Sequence, residues 1–269
     1  MQMPPLSPGW EPTRLTLQRY ANAVAALPRA GALHDDRWSH VSLHPTDLSD
    51  GGRGLASAPT PLSDGSLLVS TLDIGNHQIH IEAGSDLVSV DVSAGPSPKS
   101  VGEAVAALAA AHGSNIEVDV SRYDDASEQI YDHSHATAWH RNTMWVVDTF
   151  AMLTKGVDGE VAGPHLWPHG FDIATEWFST KTVGEGESEA SPQIAVGFYP
   201  SEEDAYFYAN PWPFDSAWAD APMPDGVHWH VDGWQGAVLP AANLGGADDR
   251  QQVLDFARGV HSLARDALS

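Results

Sequence analysis

Apolar residues recur along the chain with two different periods, and each period predicts a different kind of element. A spacing of three to four residues marks one face of a helix, whereas alternation between punctuating Gly, Pro, Asn and Asp marks strands. Four helices are predicted: one after Thr13, one starting at Pro98 with Ser97 as N-cap, one over 126–153, and one starting near Asp248. The predicted strands are 38–43, 66–72, 78–82, 87–92, 115–120, 171–178, 193–198, 205–208 and 236–239.

Three of these helices have a clear apolar face that we expect to be buried. The first helix should bury Leu17, Tyr20, Val24 and Leu27 before Pro28 ends it. The second should bury Val101, Val105 and Leu108, with Gly113 at its end. The last helix has the most regular stripe, formed by Val253, Ala257, Val260, Ala264 and Ala267.

The order of these elements predicts an α+β protein in which antiparallel sheet regions pack against about four helices. The length of 269 residues suits a single compact domain, 1–269. Both halves run helix, strands, helix, which is also compatible with two pseudo-repeated halves at 10–113 and 115–269. No sequence identity between the halves supports a duplication.

The charge balance excludes some partners. The chain has 36 acidic and 13 basic residues, for a formal net charge of -23. Such a charge repels phosphate backbones, so we expect no nucleic-acid partner. No apolar run approaches the roughly 20 residues of a membrane span, and the first ten residues lack the apolar core of a signal peptide. We therefore expect no membrane partner and a cytoplasmic location, and the oligomeric state stays open.

The absence of cysteine limits any catalytic chemistry to oxygen and nitrogen groups. The segment 163–172 holds His165, Trp167 and Asp172 among Gly and Pro, a composition suited to a pocket wall. With the region of Tyr208 it forms our candidate ligand site, placed between the sheet and the long central helix. The alternative is a structural bend in which Trp167 and Phe171 fill the core and the polar groups have structural partners.

A second candidate site rests on the alternation of His228, His230 and Asp232. On a strand, this spacing puts both imidazoles and the carboxylate on one face, as a divalent metal such as Zn, Fe or Mn requires. Pro and Gly crowd this segment, so a loop is the alternative. His133 and His135 have the same spacing within the predicted long helix, where they diverge by about 200° and cannot share an ion. No cofactor other than this metal is indicated.

Several enzyme motifs are missing from the sequence. It contains no Gly-rich phosphate loop after a strand, no Gly-x-Ser-x-Gly elbow and no His-Glu-x-x-His helix. The leading hypothesis is a small-molecule binding or enzymatic protein. The alternatives are a non-catalytic interaction or structural protein, and a metal-dependent enzyme that uses the His-x-His-x-Asp segment.

Several stretches of the chain occur in a specific order and spacing. The stretches are Arg37-Trp38, Arg53-Gly54-Leu55, Leu72-Asp73-Ile74 with His77, Tyr131-Asp132, Pro164-His165, Phe171-Asp172-Ile173-Ala174 with Phe178-Ser179, Gly197-Phe198-Tyr199-Pro200, Tyr206-Phe207-Tyr208 and Val238-Leu239-Pro240. Together they resemble a bacterial family known as domain of unknown function 5996. Because that family has no established activity, the resemblance implies membership and no mechanism. Ser191-Pro192-Gln193 stands where the resemblance suggests a Ser-His-Glu-like triplet, so any role of that His and Glu would be lost here.

Overall fold

The protein is α+β, as the sequence predicts. The computed structural model describes residues 1–155, 157, 159–184 and 189–269. Within them, the helices are α1 (Glu11–Gly31), α2 (Pro98–Ala111), α3 (His133–Leu153) and α4 (Asp249–Leu268). A twelve-stranded antiparallel sheet is formed by β1 (Leu43–Asp47), β2 (Arg53–Ser57), β3 (Thr60–Pro61), β4 (Leu67–Asp73), β5 (Gln78–Ala83), β6 (Asp86–Asp91), β7 (Glu160–Trp167), β8 (Asp172–Phe178), β9 (Gln193–Tyr199), β10 (Tyr206–Trp212), β11 (His228–His230) and β12 (Gly236–Pro240).

The chain folds into two compact units. The N-terminal unit consists of Pro5–Met144 and His165–Phe171, and the C-terminal unit consists of Met1–Pro4, Trp145–Pro164 and Asp172–Ser269. The boundaries between the two units fall within α3 and within β7. The units therefore differ in extent from the halves 10–113 and 115–269, and an internal repeat stays a prediction.

In the N-terminal unit, the strands follow the order β1-β2-β4-β5-β6, with β3 on β4 and the end of β7 on β1. Helix α1 buries its predicted face, Leu17, Tyr20, Val24 and Leu27. Helix α2 begins as predicted, because the Ser97 side chain accepts a hydrogen bond from the Ser100 backbone N–H at 3.1 Å. It buries Val101, Val105 and Leu108.

In the C-terminal unit, the strands follow the order β11-β12-β10-β9-β8-β7. Helix α4 packs on this part of the sheet and buries Val253, Ala257, Val260 and Ala264, as its stripe predicts. Ala267 is exposed and Leu268 is buried in its place. The prediction for Ala267 was wrong because the last turn presents its larger neighbour to the core.

Two helix boundaries differ from the predicted ones. Helix α1 passes through Pro28 and ends at Gly31, since a proline so close to the C-terminus removes few hydrogen bonds. The carbonyl of Pro28 accepts the N–H of Ala32 and closes the helix. Helix α3 starts at His133 rather than near residue 126, and the preceding segment contains no helix.

Two predicted strands are wrong. Residues 38–43 contain a 3-10 turn, because Trp38 adopts a left-handed φ of 61° that ends any extended run, and β1 starts only at Leu43. Residues 115–120 alternate in burial but pair with no strand. Their alternation reflects packing instead, since the Ile116 side chain lies against Gly31 of α1. The short strands β2 and β3, and the longer β7, lie outside the predicted runs.

The loop after β8 is described only in part. The acidic segment 182–191 is predicted as a solvated loop, and residues 185–188 of it lie outside the described residues. No helix in the described ranges is long and apolar enough to cross a membrane.

Candidate functional site

The C-terminal unit contains a cavity of about 190 Å³ beside Trp177. We call it the Trp177 cavity and define it by its lining residues: Leu153, Thr154, Lys155, Val157, Val161, Thr175, Trp177, Ile194, Val196, Ala257, Arg258 and His261. Trp177 and Ile194 also belong to a buried apolar cluster with Trp218, Ala264 and Leu268. The cavity is therefore continuous with the core of this unit on its inner side.

Sheet register and helix periodicity bring these lining residues together. Thr175 lies directly opposite Val196, and Trp177 lies opposite Ile194, on the antiparallel strands β8 and β9. Because alternate residues of a strand share a face, all four side chains point to the same side. On α4, Ala257, Arg258 and His261 are spaced by three and four residues and share one helical face.

The polar groups of the cavity are unevenly distributed. Lys155 and Arg258 are exposed at its edge, whereas Trp177, Ile194 and Ala257 are buried. The ring of His261 meets that of Trp177 edge-on, with centroids 5.4 Å apart. Burial lowers the pKa of His261, with Arg265 adding to the effect, so its imidazole is neutral at pH 7. An apolar interior with a polar edge suits a small organic ligand.

Two of the sequence-predicted site residues, Asp172 and Tyr208, form a half-buried pair. The Tyr208 hydroxyl donates a hydrogen bond to Asp172 Oδ2 at 2.5 Å. Burial raises the pKa of Tyr208 well above its ordinary value, and the negative charges of Asp172 and Glu176 raise it further. Gly197 makes the arrangement possible, because a Cβ at that position would overlap the Tyr208 ring. Tyr208 is thus a neutral hydrogen-bond donor with a fixed acceptor.

The other two predicted site residues, His165 and Trp167, lie in the N-terminal unit. His165 is only 1% exposed, and its ring meets those of His44 and Trp167 edge-on at 5.6 and 4.7 Å. Phe171, at the end of the following turn, is buried and stacks on Trp139 at 5.1 Å. The structure therefore supports the structural bend at Phe171. The four predicted residues fall into different units, and none of them lines the Trp177 cavity.

The metal-site segment is a strand only as far as His230. Trp229 packs against the core cluster, so the alternation of β11 puts His228 and His230 on the opposite face. Asp232 lies beyond the strand, and the His230 ring stacks on Trp234 at 4.6 Å. Among the described residues, no group of three or more His, Asp or Glu side chains is arranged to hold a metal ion. The metal site stays a prediction that this geometry does not support.

A third arrangement, in the N-terminal unit, was not predicted as a site. The Tyr131 hydroxyl lies 2.8 Å from His77 Nδ1, and the rings of His77 and His133 lie 4.2 Å apart. Nearby, the buried Asp73 carboxylate accepts hydrogen bonds from the Asn76 backbone and side chain. We call this group the Tyr131 cluster and define it as Asp73, His77, Tyr131, His133 and His140. The turn that carries it includes His77 in a left-handed conformation, with φ 55°.

The surroundings of Tyr131 and His77 favour the neutral forms of these two side chains. Burial raises the pKa of Tyr131, and the charges of Asp91 and Asp73 raise it further. Burial also lowers the pKa of His77, and the neighbouring His133 adds to this effect. A neutral imidazole held by a phenol can accept a proton near pH 7, which is the property of a general base.

One signal in the sequence pointed to the Tyr131 cluster. Asp73, His77 and Tyr131 all belong to the stretches that carry the family resemblance. Residue spacing within a helix identifies only partners on the same helix, whereas the partner of His133 comes from the β4–β5 turn. No comparable signal marks the Trp177 cavity, whose lining residues lie on strands, on helices and in the segment after α3 without a shared motif.

The fold and these sites define an α+β protein with an antiparallel sheet and a small apolar cavity. The model of DUF5996, described as a family of unknown function, matches residues 3–268. The chain belongs to this family. No curated protein and no solved structure is detectably similar to the chain.

Proposed function

We propose that the protein binds a small organic molecule in the Trp177 cavity. The observation that carries this proposal is a cavity of about 190 Å³ with mostly apolar lining and polar groups at one edge. An apolar protein cavity of roughly 150 Å³ accommodates benzene. The ligand is therefore the size of one ring or a short alkyl chain.

Several features support binding at this cavity rather than at the residues predicted from sequence. His165 is enclosed, and Tyr208 is held by Asp172, so neither presents a free group to a ligand. The lining of the Trp177 cavity combines rigid sheet positions with one face of α4. A rigid lining lowers the ordering cost of binding. The proposal locates the protein in the bacterial cytoplasm, as its sequence suggests.

Calorimetric titration with a panel of benzene-sized ligands tests the proposal. The panel contains benzoate, phenylacetate and hexanoate, together with the amide of each. For about ten non-hydrogen atoms, we expect Kd values on the order of 0.1–1 mM for the best members. The Ala257→Leu variant should abolish binding, because the larger side chain fills the cavity, while its unfolding temperature stays unchanged or rises.

Ala267→Leu is the matched control, since it makes the same change on the exposed side of α4. This variant should bind the panel as the unmodified protein does. The proposal is overturned if no panel member binds, or if a ligand binds Ala257→Leu and the unmodified protein equally well. Either result would favour the alternative of a non-catalytic interaction or structural protein.

A further inference from the structure

Among the described residues that line the Trp177 cavity, the ionisable groups all have the same sign of potential charge. They are Lys155, Arg258 and His261, and none of the other described lining residues is ionisable. The whole chain has 36 acidic residues and only 13 Lys and Arg residues, so a basic lining is not what its composition favours. A protein of net charge -23 repels anions at long range, and only local positive groups can overcome this repulsion.

The two permanent cations of the cavity are not used elsewhere in the described part of the chain. Neither Lys155 nor Arg258 forms an ion pair there. By contrast, Arg14 pairs with Glu11 at 2.6 Å, and Arg19 approaches Asp125 at 3.5 Å. No described acidic side chain therefore uses the donors of the Lys155 ammonium and the Arg258 guanidinium, which can hydrogen-bond an anion.

His261 supplies a third polar group, one turn along α4 from Arg258. Its Nε2 atom is buried and has no hydrogen-bond partner among the described residues. Buried polar atoms are normally paired, and an unpaired one calls for a partner such as a ligand. A neutral imidazole can donate a hydrogen bond from Nε2 to an oxygen acceptor.

We propose that the ligand of the Trp177 cavity is a small monocarboxylate with an apolar ring or chain. The apolar part occupies the space between Trp177, Ile194 and Ala257. The carboxylate lies at the edge, where Lys155 and Arg258 neutralise it and His261 donates a hydrogen bond. This inference rests on the proposed function, because it specifies the chemistry of the molecule that the cavity binds.

The acid and amide pairs of the panel test this inference by calorimetry. Each amide keeps the shape of its acid and removes the charge. We expect at least one carboxylate to bind about tenfold more tightly than its amide, since charge-assisted hydrogen bonds are roughly twice as strong as neutral ones. In Lys155→Met/Arg258→Met, that ratio should fall to about one, while the affinity for the amide stays the same. His261→Gln, which keeps a donor, should retain most of the ratio, and His261→Leu should lower it.

Lys99→Met is the matched control for charge. It removes one positive charge from α2, where Lys99 lies 3.9 Å from Glu103. This variant should keep the preference for the carboxylate. Calorimetry of Lys155→Met/Arg258→Met also distinguishes anion binding by Lys155 from a purely structural role at the end of α3. Loss of a structural role would change the unfolding temperature and leave the ratio of acid to amide affinity intact.

The possible results distinguish this inference from the function on which it rests. Equal binding of acids and amides would overturn the carboxylate and leave ligand binding in place. A carboxylate preference that survives in Lys155→Met/Arg258→Met would overturn the assignment to these two residues. Failure of every ligand to bind would overturn the proposed function and this inference together.

Discussion

The two units each contain a tyrosine whose hydroxyl meets a polar partner, and the two pairs differ in that partner. In the C-terminal unit, the Tyr208 hydroxyl donates a hydrogen bond to Asp172, and Gly197 on β9 leaves room for the Tyr208 ring. Tyr131 in the N-terminal unit meets His77 beside the exposed His133. Burial is the largest cause of the raised tyrosine pKa in both. What differs is the partner, which is a carboxylate for Tyr208 and an imidazole for Tyr131, and the Tyr131 cluster also includes the exposed ring of His133.

A raised tyrosine pKa alone therefore does not locate a functional site. The Tyr208 pair, in which the phenol donates to one fixed carboxylate, has the features of a structural hydrogen bond. The Tyr131 cluster has a partly exposed neutral imidazole and is the better candidate for proton transfer. The Trp177 cavity shares no lining residue with either arrangement, and it has room for a small ligand.

The largest expected effect in this comparison comes from adding one methyl group to a glycine in each region. In Gly197→Ala, the new Cβ overlaps the Tyr208 ring, which cannot move freely because Asp172 holds its hydroxyl. We expect a loss of roughly 1–3 kcal/mol in the free energy of unfolding, measured in urea. In Gly75→Ala, the nearest atom is His140 Nε2 at 3.5 Å, an ordinary contact. The change there should be within about 0.5 kcal/mol.

Non-additivity identifies the cause of the Gly197 effect. Gly197→Ala should destabilise a Tyr208→Ala background less than it destabilises the unmodified protein, because the overlapping ring is gone. Equal costs in both backgrounds would show that the Tyr208 ring is not what Gly197 accommodates. A Gly75→Ala variant as unstable as Gly197→Ala would remove the contrast between the regions.

A smaller effect follows from deleting each tyrosine hydroxyl. Tyr208→Phe removes a hydrogen bond to a carboxylate, and should cost about 1–2 kcal/mol of unfolding free energy. Tyr131→Phe removes a hydrogen bond to an imidazole, so we expect a cost of about 0.5 kcal/mol. Urea unfolding of both variants at pH 7.5 measures the difference. Similar costs for the two would show that the charge of the acceptor does not set the strength of the bond.

The smallest expected effect is a dependence of stability on pH in the Tyr131 cluster. Burial lowers the pKa of His140, Arg53 adds to this, and Asp73 opposes it. Below the ordinary His pKa of about 6.5, the unfolded chain therefore binds a proton that the folded protein does not bind readily. The contribution of neutral His140 to the free energy of unfolding is fully present above about pH 6.5 and is lost as the pH falls.

His140→Gln isolates this contribution from the titration of the many carboxylates. Between pH 7.5 and 5.5, the variant should lose less unfolding free energy than the unmodified protein, because it has no imidazole whose pKa folding lowers. Tyr208→Phe serves as the control, since a phenol does not titrate in this range. A variant that loses as much stability as the unmodified protein would show that His140 does not contribute to the acid response.

Local patterns were sufficient to predict much of the fold. The buried faces of α1 and α2 follow from residue spacing, and Ser97 with Pro98 specifies the start of α2 through local hydrogen bonding and a fixed φ. Strands with strong alternation were found close to their observed bounds. Predicted strands were wrong where a backbone conformation or a distant contact decided the structure. Trp38 is left-handed, and Ile116 packs on α1 instead of pairing with a strand.

The candidate sites show the limit of the same reasoning. The sequence by itself determined the α+β class, the shortage of basic residues and the apolar stripe of α4, because these depend on composition and on short periods. The tertiary structure alone decided that Thr175 and Trp177 oppose Val196 and Ile194, and that α4 carries Arg258 and His261 to the same cavity. Strand register and helix docking join residues about 20 to 100 positions apart, and no local period encodes such pairings.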